Sequence, residues 1–494
     1  MSRFLAFDLG AESGRALVGD LSGGRLTLEP VHRFANAPRH VDATLRWDVE
    51  ALWAEIRRAL ALAPGPLTSV GLDTWGCDYA LVDGKGSLVE PPYHYRDHRT
   101  DGVMDRVLAR LGRTRLYETT GVQFLPFNTL FQLAAAAEAR PSALDRAAAF
   151  LTIPDLFNYW LTGRIACEYT NATTTQCVDA RQRTWAASLI DDLDLPRHLF
   201  GLIVEPGTVL GPLQASAGGP TGVPVVAPAC HDTGSAVASV EVGDDTAFLS
   251  SGTWSLLGVE VAAPVITARS AALNFTNEGG VCGTTRLLKN IGGLWLLQAC
   301  RRDWAADGRD LSYEHLAAAA ADTSPFGPVI DPDDPSFLNP DHMPRAIADY
   351  CRRTSQPIPD HPAAVARAVF ESLALKYRMV IEWLEEVSGL SIRTVRVIGG
   401  GAQNRLLNQL TADATGRDVL AGPVEATALG NIAMQMLATG HADSLAAARD
   451  IINRSFPAER FLPKDPEPWD RQYSRFRDVA TRADLKVGAS IASF

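Results

Sequence analysis

Asp8-Leu-Gly-Ala-Glu-Ser-Gly-Arg15 follows directly on the apolar run Phe4 to Phe7, so a carboxylate and a Gly/Ser loop stand at the end of an expected strand. Backbone N–H groups in a tight glycine turn form a concavity that suits anions, Ser13 adds a hydroxyl and Arg15 adds positive charge. Asp8 is placed to hold Mg²⁺ through water. The same stretch also reads as a plain hairpin turn, because turn residues are common at strand ends. Three segments further along the chain bear on that choice.

Around this stretch the first 30 residues read as strand, loop, strand, from Phe4 to Leu9, Arg15 to Asp20 and, after the Ser22-Gly23-Gly24 turn, Arg25 to Glu29. That pattern is an antiparallel meander. Residues 48–62 carry apolar side chains at helical spacing behind Asp48 as N-cap, and Pro64-Gly65-Pro66 ends them. Ser69 to Thr74 reads as the next strand. Strand, helix and strand in that order suggest an α/β layer with a sheet of mixed direction.

A second strand-turn-strand unit, Thr246 to Ser251 and Trp254 to Val259 with Ser251-Gly252-Thr253 at the turn, echoes the opening in arrangement. Two such units, each opening a half of sheet and helices, predict two similar domains facing across a cleft, with a boundary near residue 240. The stretch from 325 to 345, rich in Pro, Asp, Gly and Asn, reads as a loop, and residues 361–388 as the clearest long helix of the second half.

Composition limits what such a chain can do. At 494 residues it has room for about three domain-sized units or two large ones. With 46% hydrophobic and 21% charged residues, ten Trp and eighteen Phe, it is built to fold rather than to stay disordered. A net charge of −11 argues against a large nucleic-acid or anionic-membrane footprint and favours small ligands. The seven cysteines are odd in number and contain no C-x-x-C pair, as expected of reduced thiols. No signal-peptide core follows Met1, so a cytoplasmic location is expected. His94 and His98 have helical metal-ligand spacing but no third ligand in view.

Chemistry is concentrated in the three later segments. In Ala229-Cys-His-Asp-Thr-Gly-Ser-Ala236, Asp232 lies between an expected strand and a helix, where it either caps the helix or points into a cleft. His231 is its neighbour in sequence, an awkward start for the oriented His–Asp bond of a hydrolase triad, and no G-x-S-x-G elbow occurs. Leu249-Ser-Ser-Gly-Thr-Trp-Ser255 stacks hydroxyls and a glycine between strands, as a phosphate loop or an ordinary hairpin would. Val395-Arg-Val-Ile-Gly-Gly-Gly-Ala-Gln-Asn404 joins a strand to the helix 405–414 through three glycines, which lets backbone approach a base or ribose. Asn404 stands where G-x-G-x-x-G needs its last glycine, and G-x-x-x-x-G-K-[ST] is absent, so Rossmann and P-loop readings lose support.

Taken in order, these four segments resemble the phosphate and adenosine loops of the FGGY carbohydrate kinases, within the actin, Hsp70 and sugar-kinase superfamily. Further stretches resemble the L-rhamnulose kinases of that family: Trp47-Asp-Val, Gly71-Leu-Asp-Thr-Trp-Gly76, Gly121-Val-Gln-Phe-Leu-Pro-Phe-Asn128, Glu168-Tyr-Thr-Asn-Ala-Thr-Thr-Thr175, Asn277-Glu-Gly-Gly280, Lys289-Asn-Ile-Gly-Gly-Leu-Trp-Leu-Leu-Gln298 and Gly422-Pro-Val-Glu-Ala-Thr427. The resemblance implies two actin-like, ribonuclease H-like domains, each a mixed sheet flanked by helices, around a catalytic cleft. Residues 1–240 would form a sugar- and phosphate-binding domain and 241–455 an adenine-nucleotide domain. An extension, 456–494, would pack back on the first.

The same resemblance implies ATP contacts from Ala11, Glu12, Ser13, Gly14, Arg15, Thr253, Gln298 and Gly400, and sugar contacts from Gly76, His231, Asp232, Thr233 and Asn290. Asp232 would be the proton acceptor and Asp8 the residue toward Mg²⁺. Without the family, Asn290 and Gln298 read as a polar pair on one helix face. Glu12 stands where the family leads us to expect a hydroxyl or small residue, and a carboxylate beside phosphate is repelled unless it points away or binds Mg²⁺.

The implied reaction is ATP-dependent phosphorylation of L-rhamnulose to its 1-phosphate in L-rhamnose catabolism, by a monomer or weak homo-oligomer. Alternatives are a kinase for another ketose, such as L-fuculose or D-xylulose, and a clamp-type ATPase that phosphorylates no sugar. A hydrolase using Asp8 and Asp232 as paired acids is a third.

Overall fold

Strand Ser2–Leu9 is buried from Phe4 onward, as a central strand covered on both faces must be. Its side chains alternate between two cores: Leu5 and Phe7 lie with Trp47, Leu52 and Ile56, and Phe4 and Ala6 with Leu429, Ile432 and Met436. The computed structural model describes residues 2–139 and 141–491. They divide into two units, one of Met1–Glu241, Glu260–Leu288 and Glu425–Pro457, the other of Val242–Val259, Lys289–Val424 and Ala458–Phe494.

The first unit carries a six-stranded sheet in the order Thr208–Pro212, Pro224–Ala227, Ser69–Thr74, Ser2–Leu9, Ser13–Ser22, Arg25–Ala35. Three central strands run parallel, Ser2–Leu9 beside Ser69–Thr74 and that beside Pro224–Ala227; each outer pairing is antiparallel. The expected meander is therefore present. Helix Val49–Leu62 begins as expected, with the Asp48 carboxylate accepting from Ala51 N at 3.1 Å. Its buried side chains, Val49, Leu52, Ile56, Ala59 and Leu60, form one stripe at helical spacing.

The second unit repeats the motif. Strand Thr246–Ser251 is antiparallel to Trp254–Val261 and parallel to Thr394–Ile398, which is parallel to Asp418–Ala421; Glu459–Phe461 closes that side antiparallel. Helices Pro362–Ser388 and Arg405–Thr415 accompany them, capped by His361 and Asn404. The stretch expected as a loop from 325 to 345 contains the short helix Pro335–Phe337 and the start of helix Met343–Arg353.

The units do not divide the chain linearly, as a single boundary near 240 would. Helix Ala426–Ala438 belongs with the first unit because its apolar stripe covers one face of that sheet, and Gln435 accepts from Ser69 Oγ at 2.7 Å while donating to Leu5 O at 3.1 Å. The final segment differs from expectation too. In helix Glu467–Ile491, Asp470 pairs with Arg378 at 2.7 Å and the Tyr473 hydroxyl donates to Glu382 at 2.5 Å, so its first turns lie on helix Pro362–Ser388 of the second unit and not on the first.

Two contacts hold the loops at the C-terminal ends of the first unit's parallel strands. Helix Ala426–Ala438 approaches helix Asp232–Ala238 so closely that a Cβ on Gly430 would lie 1.7 Å from Ser235 O. The buried Glu168 carboxylate accepts from Thr170 N (2.9 Å), Thr170 Oγ1 (2.6 Å) and Cys230 N (2.9 Å), tying the segment after Cys167–Glu168 to the residue before His231. Glu168 N in turn donates to Asp155 Oδ1 at 3.0 Å.

Gly430→Ala therefore forces backbone apart, and urea unfolding should show a loss of about 1–3 kcal/mol or more; an unchanged midpoint would contradict the close approach. Burial, with the Glu168 carboxylate adding to it, pushes Asp155 up to about 8. The unfolded chain releases this proton near pH ~4, so Asp155 contributes stability that is lost as pH rises from there through about 8. Melting temperatures from pH 5 to 8.5 should fall less steeply for Asp155→Asn than for the parent protein, and parallel profiles would remove Asp155 from that role.

Candidate active site

The C-terminal ends of the three parallel strands carry acidic residues to one edge of the first unit's sheet. Asp8 and Asp73 are direct register partners, and Thr74 bridges to His231, the residue before Asp232. Arg15 returns along the antiparallel strand and donates to Asp8 Oδ2 from Nε (2.9 Å) and Nη2 (2.7 Å); its Nη1 meets Glu425 Oε2 at 2.7 Å. Between them the loop turns tightly, Gly10 N donating to Ser13 O at 2.9 Å. Glu12 and Ser13 are exposed and Ala11 is half-buried.

Asp73 is fully buried. Its Oδ2 accepts from Asn431 Nδ2 at 2.6 Å, while Oδ1 has no partner. Burial and the neighbouring Asp8 and Asp232 charges push this carboxyl well above the usual range. Asp232 accepts from Thr233 N at 2.6 Å and Thr233 Oγ1 at 3.2 Å, and its side chain keeps 30% exposure. Burial raises its pKa, His231 opposes the shift and Asp8 adds to it. A carboxylate so raised is a stronger proton acceptor than a free one.

His231, Gly76 and Thr174 meet beside Asp232. A Cβ on residue 76 would lie 3.1 Å from Thr174 Oγ1 and 3.3 Å from His231 Nε2, so glycine lets the backbone lie close to the imidazole. His231 Nε2 is 3.4 Å from Asp232 Oδ1, longer than a good hydrogen bond, so the adjacent pair is not an oriented dyad. Behind Gly76, Asp78 accepts both indole N–H groups of Trp47 (2.6 Å) and Trp75 (3.0 Å) and is held by Gln132 at 3.0 Å. His94 stacks on Trp47 with centroids 4.2 Å apart, and its Nδ1 accepts from Arg96 N at 2.9 Å, whereas His98 is exposed.

In the second unit, two separate stretches converge on the Ser251-Gly252-Thr253 turn. Leu294 N donates to Gly252 O at 3.0 Å and Trp295 N to Thr253 O at 3.0 Å, and a Cβ on Gly401 would lie 2.0 Å from Ser251 Oγ. Thr253, Gln298 on helix Trp295–Ala306 and Gly400 thus belong to one cluster. Ser251 Oγ and Gln298 Oε1 are buried without partners, polar capacity that a nucleotide could take up, and nothing lies within 4 Å of a Cβ built on Gly400. Asn290 lies on strand Thr285–Gly292 and Gln298 on a helix, so they are not a pair on one helix face.

The acidic set fits a hydrated divalent cation. Asp73 offers a buried oxygen lacking a donor, and Asp8 is anchored through one oxygen by Arg15. Among the described residues no three acidic, histidine or cysteine side chains could hold an ion by themselves; Mg²⁺ ordinarily keeps waters and takes phosphate oxygens, which suits such a site. Sequence reasoning gave no role to Asp73, Glu168 or Thr174, although each lies in a stretch it singled out. All seven cysteines are free, and among the described residues no helix is long and apolar enough to cross a membrane.

Comparison with known proteins places this geometry. Residues 3–238 match the N-terminal domain of the FGGY family of carbohydrate kinases, and residues 247–439 its C-terminal domain. A rhamnulokinase of Bacteroides thetaiotaomicron is 45% identical over 482 residues, covering 96% of this chain and 99% of its own. One of Pectobacterium atrosepticum is 45% identical with 97% of both chains covered, and one of Oceanobacillus iheyensis is 42% identical over 92% of this chain and 96% of its own. A ligand-bound xylulose kinase from Lactobacillus acidophilus superposes with a TM-score of 0.77 at 14% identity over 100% of this chain and 99% of its own. Plasmodium falciparum glycerol kinase with ADP gives 0.75 at 15% identity over 98% of each; at such identities these two speak to the fold. With both domain models matched, the expected fold class holds, and the chain belongs to the FGGY family of carbohydrate kinases.

Proposed function

We propose that this chain transfers the γ-phosphoryl group of ATP to the C1 hydroxyl of L-rhamnulose, giving L-rhamnulose 1-phosphate and ADP in the breakdown of L-rhamnose. One observation carries the sugar: rhamnulokinases align with 96% of the chain at 45% identity. Kinases for L-fuculose or D-xylulose and a clamp-type ATPase are not favoured by those relatives.

Asp232 accepts the proton of the sugar hydroxyl as its oxygen bonds to the γ-phosphorus; the bond to the bridging oxygen breaks, and ADP leaves with that electron pair. Gly76, His231, Thr233 and Asn290 hold the sugar. The turn from Ala11 to Arg15, with Thr253, Gln298 and Gly400, holds ATP, and Asp8 would hold Mg²⁺ through water. When bound, Mg²⁺ offsets charge on the phosphate oxygens. The protein's own contribution is then alignment plus one base, and a positioned general base contributes roughly 10²–10⁴ in rate. The carboxylate held part-exposed beside Thr233 N, with a raised proton affinity, suits that task.

Asp232→Asn should lower kcat for sugar-dependent ADP release about 10²–10⁴-fold and leave MgATP binding by calorimetry nearly unchanged; retained turnover would take the base role from Asp232. Glu12 is exposed on the phosphate loop. Removing its charge with Glu12→Ser should lower the KM for MgATP about fivefold, the equivalent of ~1 kcal/mol, and an unchanged KM means that the carboxylate points away from the phosphates.

A further inference from the structure

The imidazole of His231 has two different surroundings. Its Nε2 faces Asp232 and lies close to Gly76. Its Nδ1 is 3.3 Å from Glu278 Oε2 and 3.2 Å from Arg286 Nη2, and those two atoms are 3.2 Å from each other, so the three form a closed triangle. Glu278 and Arg286 are direct cross-strand partners on Thr276–Gly279 and Thr285–Gly292. Glu278 is 4% exposed and Arg286 fully buried, with Nε donating to Gly279 O at 2.9 Å and Nη1 without a partner.

Such a pair is a poor device for stability alone. Taking both charges out of water costs several kcal/mol per ion, and well-packed apolar residues of the same volume often serve as well or better. An incompletely satisfied guanidinium adds to that cost. What the pair does that apolar residues could not is bind one ring nitrogen of His231. A guanidinium N–H donated to Nδ1 at 3.2 Å leaves the ring proton on Nε2 and fixes the ring plane, while Glu278, whose Oε2 has no hydrogen-bond partner of its own, offsets the guanidinium charge at 3.2 Å. Burial works against ionisation of Glu278, yet His231 and Arg286 outweigh it and hold the carboxyl below its usual range.

We propose that Glu278 and Arg286 are positioning residues that act on the sugar through His231: Arg286 donates to Nδ1, Glu278 holds the Arg286 guanidinium in place, and Nε2–H is thereby fixed as the ring atom presented to the sugar. This rests on His231 being a sugar contact, as proposed above. No covalent step is involved, and the pair touches neither sugar nor nucleotide.

A double-mutant cycle on the full-length protein, reading ADP release with L-rhamnulose and MgATP, separates the possibilities. His231→Asn should lower kcat/KM for the sugar; if it does not, the reading of His231 as a sugar contact fails. Given that loss, Glu278→Gln, which keeps shape and an acceptor for Arg286, should lower kcat/KM for the sugar about 10- to 100-fold with the KM for MgATP unchanged. In the His231→Asn background the same substitution should cost nothing further. Equal losses in both backgrounds, or a matching change in the KM for MgATP, would overturn the proposal. Should Glu278→Gln fold poorly, ¹⁵N-histidine NMR of the unaltered protein decides the matter. With the His231→Asn spectrum as assignment, His231 should show a protonated Nε2 and an unprotonated Nδ1, and a protonated Nδ1 overturns the proposal.

Discussion

Three carboxylates delivered to one edge of a parallel sheet are the constraint on which this structure depends. Register places Asp8 beside Asp73, and the Thr74–His231 bridge brings Asp232 to the same edge. Like charges at close range in a partly dry setting repel by several kcal/mol unless they are offset. Each acid is answered differently: Asp8 by the two-pronged Arg15 contact, Asp73 by one amide of Asn431 and a strong upward shift, Asp232 by Thr233 and the nearby imidazole. What remains is a negative, incompletely satisfied corner. A divalent cation is the chemical complement of such a corner.

Much of the first unit exists to keep that corner in register. Glu168 fastens the backbone just before His231, Gly430 lets one helix lie against another, and Asn431 and Gln435 reach the central strands from a segment more than 350 residues away in the chain. Interactions of this kind connect stability to function directly. A change at Gly430 or Glu168 acts on the backbone that carries His231 and Asp232.

The sequence was legible where function is written locally. A carboxylate at a strand end, a glycine turn, a hydroxyl-rich hairpin and a triple-glycine bend each lie within ten residues, and each is found where the pattern put it. Asp48 was legible as a cap for the same reason. Contacts of long sequence separation were not. Nothing in the spacing of Glu278 and Arg286 shows that a cross-strand pair meets His231, and nothing in residues 425–457 shows that their apolar stripe belongs to the first sheet and not the second. The extension was misplaced on similar grounds, because Asp470 and Tyr473 find their partners on helix Pro362–Ser388 only once both are folded.

The account stands most directly on one measurement: ADP release by the purified protein with Mg²⁺ and ATP, comparing L-rhamnulose with L-fuculose, D-xylulose, glycerol and no sugar. Fast turnover selective for L-rhamnulose is the predicted result. Slow ATP loss indifferent to every sugar would contradict the kinase chemistry, and selective turnover of a different sugar would contradict the assignment of its acceptor.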